Sequence, residues 1–205
     1  MDQAPTTDTA LALGFDPAAV VRLTAEQFEK MYYAGVFTYE SSRVVLREGL
    51  LCRMNPQNIP HMTAKADFCE ALLDSLREIG SKLRVASEGS VRASDHDVPQ
   101  PGIIVWEPIK ARGPVPRERV RLAVDVSDST LPDDLGYKRA LYAAAGIPEY
   151  WIVDLRGRTI HQNWAPMEGE YSRAEVVPFG STIASIAVPG LAISTAALID
   201  QDTPE

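Results

Sequence analysis

The segment RLAVDVSDSTLPDDLGYKRALYAAAGIPEYWIVDL, residues 121–155, constrains this chain more than any other. It reads as strand, turn, helix, turn, strand. Arg121–Val126 is a short apolar run broken by one carboxylate, Asp125, and Ser127–Pro132 is turn chemistry, rich in hydroxyls. From Asp133 the apolar spacing turns helical, with Leu135, Leu141 and Tyr142 on it and Asp134 and Lys138 in i,i+4 register. Gly146 and then Pro148 end that helix in the usual order. Glu149–Asp154 follows as a second strand centred on Tyr150, Trp151, Ile152 and Val153. About 30 residues in this order have the length of a βαβ crossover or of a looser α/β pairing.

Side chains alternate across a strand, so Leu122, Val124 and Val126 share one face while Arg121, Ala123, Asp125 and Ser127 share the other. Asp125 therefore falls inside an apolar strand near its carboxyl end, where ligand sites of open α/β sheets lie. Lys138, on the helix leaving that strand, is placed to reach back. An acid on a strand with a lysine beside it suits a divalent metal and a phosphate: the acid holds the metal, and the lysine offers a point charge. The same residues also fit a plainer arrangement, in which Asp125 bonds the following turn and Asp134/Lys138 is an exposed helix pair. On the residues alone both readings stand.

Bulk properties bound the rest. A chain of 205 residues, 45% apolar and 23% charged, has the length and mix of one folded domain with a real core, which we place at 19–200 between a disordered leader (1–18) and a polar tail (201–205). No apolar run approaches the roughly 20 residues of a membrane span, and the acidic start lacks the basic region of a secretory signal. Cys52 and Cys69 show neither metal spacing nor a disulfide framework, which suits a reducing cytoplasm. The net charge of −8 weighs against broad electrostatic binding of nucleic acid. The densest basic set, Lys110, Arg112, Arg117, Arg119 and Arg121, precedes the Asp125 strand and reads either as a clamp on a nucleic-acid backbone or as a solvated loop.

Elsewhere, Thr24 and Gln27 have capping-box spacing and open a short amphipathic helix with Phe28, Met31 and Tyr32 on its apolar face. Residues 43–54 read as a hairpin turning at Glu48-Gly49. A helix headed by His61 runs to about Gly80; His61 there reads as a phosphate or acid–base group, or as a cap. His96 and His161 read as surface residues. Strands follow at Leu83–Ala86 and Ile103–Trp106, separated by a polar stretch holding Glu88, Asp95 and Asp97. Thr159–Trp164 and Tyr171–Val177 form a hairpin around Pro166–Glu170. Ile183–Val188 and Leu191–Ile193 read as short strands, or as strand and turn, and Ala196–Asp200 as a helical turn.

VSDST at 126–130, Asp134, Lys138, Tyr142-Ala143 and AGIPEYWIVDL at 145–155 together resemble the signature of the Uma-two family, within the PD-(D/E)XK nuclease superfamily. The resemblance implies a restriction-endonuclease-like α/β fold: a central mixed sheet flanked by helices, with an extra N-terminal hairpin and C-terminal strands. It implies Mg²⁺- or Mn²⁺-dependent hydrolysis of DNA, with Asp125 as metal ligand and catalytic acid, Lys138 stabilising developing charge, and His61 at the position of a histidine common in relatives. Folds of this kind are often homodimeric. Two positions depart from the pattern. Gly102 follows Pro101 where the metal-binding aspartate is expected, and Val45 stands where relatives carry a glutamate; Asp125 itself is a shortened glutamate. Asp97 is the leading substitute ligand, with Asp95 and Glu88 behind it, and Glu107 is disfavoured by strand alternation. The alternative expectation is a catalytically degenerate nuclease fold that binds nucleic acid or protein.

Overall fold

Parallel pairing of the two strands predicted within residues 121–155 sets the architecture. In the computed structural model, which describes residues 16, 19–37, 43–54 and 56–196, the elements run α1 (Ala25–Tyr33), β1 (Val44–Arg47), β2 (Leu50–Arg53), α2 (Ile59–Glu78), β3 (Arg84–Ser87), β4 (Val91–Arg92), β5 (Ile103–Trp106), β6 (Val115–Pro116) and β7 (Val120–Ser127). They continue with a helix α3 over 131–144, then β8 (Glu149–Asp154), β9 (Thr159–Met167), β10 (Glu170–Pro178), β11 (Thr182–Ala184) and β12 (Ala192–Ser194). Apart from Asp16, the expected leader lies outside the described residues, as do 197–205, which hold most of the expected last helical turn and the tail.

The chain forms two compact units. The larger comprises Asn55–Ala93 and Gln100–Glu205. Its six-stranded sheet has the order β10-β9-β8-β7-β5-β3. Only β7 and β8 are parallel, with Asp125 opposite Ile152 and Ser127 opposite Asp154; every other neighbouring pair is antiparallel. The sheet is therefore mixed, with helix α3 as the crossover between its two parallel strands.

Alternate residues of β7 serve opposite faces, as the alternation predicts. Leu122, Val124 and Val126 pack with Ala64, Phe68, Leu72 and Leu76 of α2. Ala123 packs with Tyr142 and Ala143 of α3 and with Tyr150 and Ile152 of β8. Trp151, Tyr142 and Tyr150 are among the largest fully buried side chains, and burial of an aromatic of this size contributes on the order of 2–3 kcal/mol. Because both faces of β7 and β8 are covered, their sequences read as nearly continuous apolar runs.

The smaller unit takes in the chain up to Met54 together with Ser94–Pro99. Thr24 caps α1 with a complete capping box shared with Gln27. Ala25 and Phe28 pack with Leu46 and Val98, whereas Tyr32, expected on the apolar face, is exposed. The β1–β2 turn places Glu48 and Gly49 both at positive φ, 51° and 76°, the left-handed pair a two-residue hairpin turn requires. A Cβ at Gly49 would lie 2.6 Å from the Arg22 Cβ, so glycine is needed there for space as well as for conformation.

Several elements differ from expectation. Helix α2 starts at Ile59 rather than His61, because Asn58 in extended conformation caps it and accepts the His61 N–H at 3.0 Å. The stretch 87–97 is not wholly irregular: Val91–Arg92 pairs in parallel with Val115–Pro116. The β9–β10 hairpin extends to a two-residue turn at Glu168-Gly169, and the strand expected over 183–188 ends at Ala184. His96 is half-buried with its Nδ1 2.9 Å from the Leu23 carbonyl, so it is not a plain surface residue. His161 is half-buried on β9, paired between strands β8 and β10. The basic set splits up. Arg119 and Arg121 both pair with Glu107, and Arg117 donates to the Ala93 carbonyl, while Lys110 and Arg112 stay exposed. Among the described residues no helix is long and apolar enough to cross a membrane.

Candidate functional site

At the carboxyl end of β7, within the larger unit, Asp125 meets residues from three other elements. Its Oδ1 accepts the Gly102 N–H at 3.0 Å, from the residue just before β5, and lies 3.2 Å from the Lys138 Nζ on α3. Its Oδ2 accepts the Tyr150 hydroxyl of β8 at 3.1 Å. The second acid of the cluster, Asp134, is fully buried; Thr130 Oγ1 donates to its Oδ2 at 2.8 Å. Its Oδ1 lies 2.8 Å from the Lys138 Nζ, an ion contact rather than a well-directed hydrogen bond.

Local backbone explains why Lys138 reaches both acids. Helix α3 is α-helical over Leu131–Asp133 and Arg139–Ala144 but takes a π turn over Asp134–Lys138, where the Arg139 N–H reaches back to the Asp134 carbonyl. Such single-turn expansions recur at functional sites. Here the expanded turn carries Asp134 and Lys138 together. The i,i+4 pair is thus buried at its acid end and partly open at its lysine end, with Lys138 26% exposed against 0% for the Asp134 side chain.

Electrostatics follow from this burial. Burial, reinforced by the charge of Asp125, raises the Asp134 carboxyl above the ordinary aspartate range, with Lys138 and Thr130 opposing. Burial works against the Lys138 ammonium, but Asp125 and Asp134 outweigh it and hold the group charged, above the usual lysine range. Burial also pushes the Tyr142 and Tyr150 hydroxyls well up, so both stay protonated. The Tyr142 hydroxyl is buried without a hydrogen-bond partner.

His61 comes to the same strand end. It sits in the first turn of α2 and is half-buried. Burial first, then the charge of Lys65, lowers its pKa, against a bond to the Val126 backbone and the pull of Asp125 and Asp134. At neutral pH its imidazole is uncharged, with a buried Nδ1 that has no hydrogen-bond partner. Next to it, Asn58 donates to Asp128 at 2.7 Å and Arg156 donates to the same carboxylate at 2.8 Å; Arg156 and then Asn58 hold Asp128 below its ordinary range.

The remaining sequence candidates are committed elsewhere. Asp97 belongs to the smaller unit, where its two oxygens accept the Glu48 N–H and the Ser94 hydroxyl, both at 2.7 Å, and so secures the β1–β2 turn. Asp95 is exposed in that unit, and its carbonyl accepts the Ala25 N–H. Val45 pairs with Cys52 in the β1–β2 hairpin. Glu107 is held by two arginines that push its pKa down. Glu88 does lie by Gly102, but paired: Lys65 Nζ is 2.7 Å from its Oε1, and Gln57 donates to the same oxygen at 2.9 Å. Sequence reasoning brought Asp125, Lys138 and His61 together. It missed the burial of Asp134, the Tyr150 hydroxyl, and Lys65 altogether.

A divalent Mg²⁺ or Mn²⁺ needs several oxygens converging on one point. Among the described residues no three His, Cys, Asp or Glu side chains form such a group. Both Asp125 oxygens already accept donors, Gly102 contributes no side-chain oxygen, and Glu88 faces an ammonium. The donor set does not fit the ion.

The family model Uma2, described as "putative restriction endonuclease", matches residues 25–196. A solved structure, a putative nuclease belonging to DUF820 from Anabaena variabilis, superposes with a TM-score of 0.63 at 14% identity, covering 87% of this chain and 98% of that one. At that identity the likeness establishes a shared fold. No curated protein matches the chain.

Proposed function

Since this chain belongs to the Uma2 (Uma-two) family of putative restriction endonucleases, we propose that it is a nuclease-fold protein that engages DNA at the Asp125–Lys138 end of its sheet without hydrolysing it. One observation carries this reading. Where the family's second acid is expected, Gly102 offers only a backbone N–H, and the other acid beside it, Glu88, is paired with a buried lysine. The Lys138 side chain is 26% exposed while those of Asp125 and Asp134 are 7% and 0%, so of the three charged groups the lysine is the one a phosphate can reach. Neutral His61, at the same strand end, can donate or accept a hydrogen bond without adding charge.

A second reading is favoured by the retained Asp125–Lys138 contact of 3.2 Å: metal-dependent hydrolysis of the DNA backbone, with Asp125 as ligand. The two are separated by incubating the protein with supercoiled, linear and branched DNA in Mg²⁺ or Mn²⁺ while measuring duplex binding by fluorescence anisotropy. We expect binding that Lys138→Ala weakens, and no cutting. Metal-dependent nicking that EDTA and Lys138→Ala both abolish would replace the binding reading with the hydrolytic one.

A further inference from the structure

Helix α2 turns one charged residue, Lys65, toward the sheet among Ala64, Phe68 and Leu72; it is 7% exposed. A buried charge of this kind persists only when paired. Its Nζ lies 2.6 Å from the Gln57 Oε1 and 2.7 Å from the Glu88 Oε1. Glu88 is in turn fixed to the start of β5, since its N–H donates to the Gly102 carbonyl at 2.9 Å and its own carbonyl accepts Gln100 at 2.7 Å. It stands at positive φ, 55°, just past the end of β3.

The aliphatic part of Lys65 runs past Gly102. A Cβ placed there would sit 3.7 Å from the Lys65 Cδ, 3.7 Å from the Asp125 Cα and 3.2 Å from the Val124 carbonyl oxygen. A side chain at 102 would thus emerge between Asp125 and Lys65, with the ammonium two bonds beyond the atom it touches. Asp125, Asp134 and Glu88 supply three negative charges, and Lys65 with Lys138 supplies two positive ones.

We propose that Lys65 is a resident cation of this site: its ammonium, paired with Glu88, takes the space and charge that a divalent ion would hold between Asp125 and an acid at position 102. The chain is therefore refractory to divalent cations, and an aspartate at 102 alone would pair with Lys65 instead of completing a metal site. The inference builds on the non-hydrolysing reading above and explains it.

The test is Mn²⁺ binding, read as loss of the free-ion signal in electron paramagnetic resonance, with folding checked by circular dichroism. Four proteins are compared: the wild type, Gly102→Asp, Lys65→Met and Lys65→Met/Gly102→Asp. Wild type and Gly102→Asp should show no saturable binding in the millimolar range, and the double variant should bind at least about tenfold more tightly than Gly102→Asp. Lys65→Gln/Gly102→Asp, which keeps a hydrogen-bond donor to Glu88, serves if the methionine form does not fold. Equal binding by Gly102→Asp and the double variant, or a folded double variant without binding, overturns the role of Lys65 and leaves the non-hydrolysing reading intact. Saturable Mn²⁺ binding by the wild type, accompanied by DNA cleavage, overturns both.

Discussion

Lys138 is the residue on which the site's charge balance turns. Its ammonium lies between Asp125 and Asp134, at 3.2 and 2.8 Å, and no other cation contacts Asp134 among the described residues. Removing one partner of a buried ion cluster typically costs about 3 kcal/mol, because the remaining charges lose compensation. We therefore expect Lys138→Met to be destabilised by roughly that amount at neutral pH. The pH dependence has a definite sign. Lysine stays charged in the folded and unfolded chain until pH nears about 10, so its own titration adds no slope between pH 4 and 8. Asp134 has a folded pKa raised above the unfolded one, so its ionisation opposes folding as pH rises through the raised value, and loss of Lys138 raises it further. The deficit of Lys138→Met should shrink toward pH 4 and grow toward pH 8 in urea unfolding; a deficit that grew in acid would contradict the cluster as drawn. Lys138 and Asp125 were legible in the sequence because each has a fixed place relative to strand and helix periodicity. The burial of Asp134 was not, since an i,i+4 pair looks the same whether its helix faces water or a sheet. Lys65 was illegible for a related reason: one lysine in an amphipathic helix reads as a solvated position, and only the fold sets Gly102 and Glu88 beside it.

At the scale of elements, β8 shows how one buried acid fastens a segment that periodicity misreads. Glu149 is fully buried, and its oxygens accept five donors: Trp151 and Gln162 on one, and the Ser185 hydroxyl with the Ile186 and Ala187 N–H groups on the other. That cluster bends the chain after β11, which is why the apolar run 183–188 does not continue as a strand. In Glu149→Gln the amide must point its N–H atoms at one of the two donor groups whichever way it turns. Leaving buried donors unmet costs about 1–3 kcal/mol, so we expect a loss of about 3 kcal/mol in urea unfolding followed by tryptophan fluorescence, with faster hydrogen exchange at Ile186 and Ala187. A loss under about 0.5 kcal/mol, the range of neutral surface changes, would mean that Glu149 does not hold the bend. Most elements were readable: Ile103–Trp106 and Glu149–Asp154 have the bounds their apolar runs suggest, and the turn glycines mark both hairpins. What escaped was long-range in origin. The Val91–Arg92/Val115–Pro116 pairing joins two short segments with no pattern of their own, and the start of α2 depends on a cap at Asn58 whose side chain also holds Asp128.

For the whole molecule, net charge bounds the DNA binding proposed above. The chain carries 28 acidic and 20 basic side chains. At the site Lys138, Lys65 and Arg156 each already face a carboxylate. A protein built for broad backbone contact makes six to ten phosphate contacts and shows a correspondingly steep salt dependence. Here the cations at the strand end can engage only about two phosphates, so the plot of log K against log salt should have a slope near −2. We expect duplex binding to be detectable near 20 mM salt and largely gone by about 200 mM, measured by anisotropy of a labelled duplex. A homodimer that set two such sites on one duplex would roughly double that slope, and sedimentation at the same concentrations identifies that case. A slope near −6 in a monomer would place the main contact surface away from the Asp125–Lys138 end. No binding even at low salt would leave the fold as a scaffold, with its retained acid and lysine serving only to close the crossover between β7 and β8.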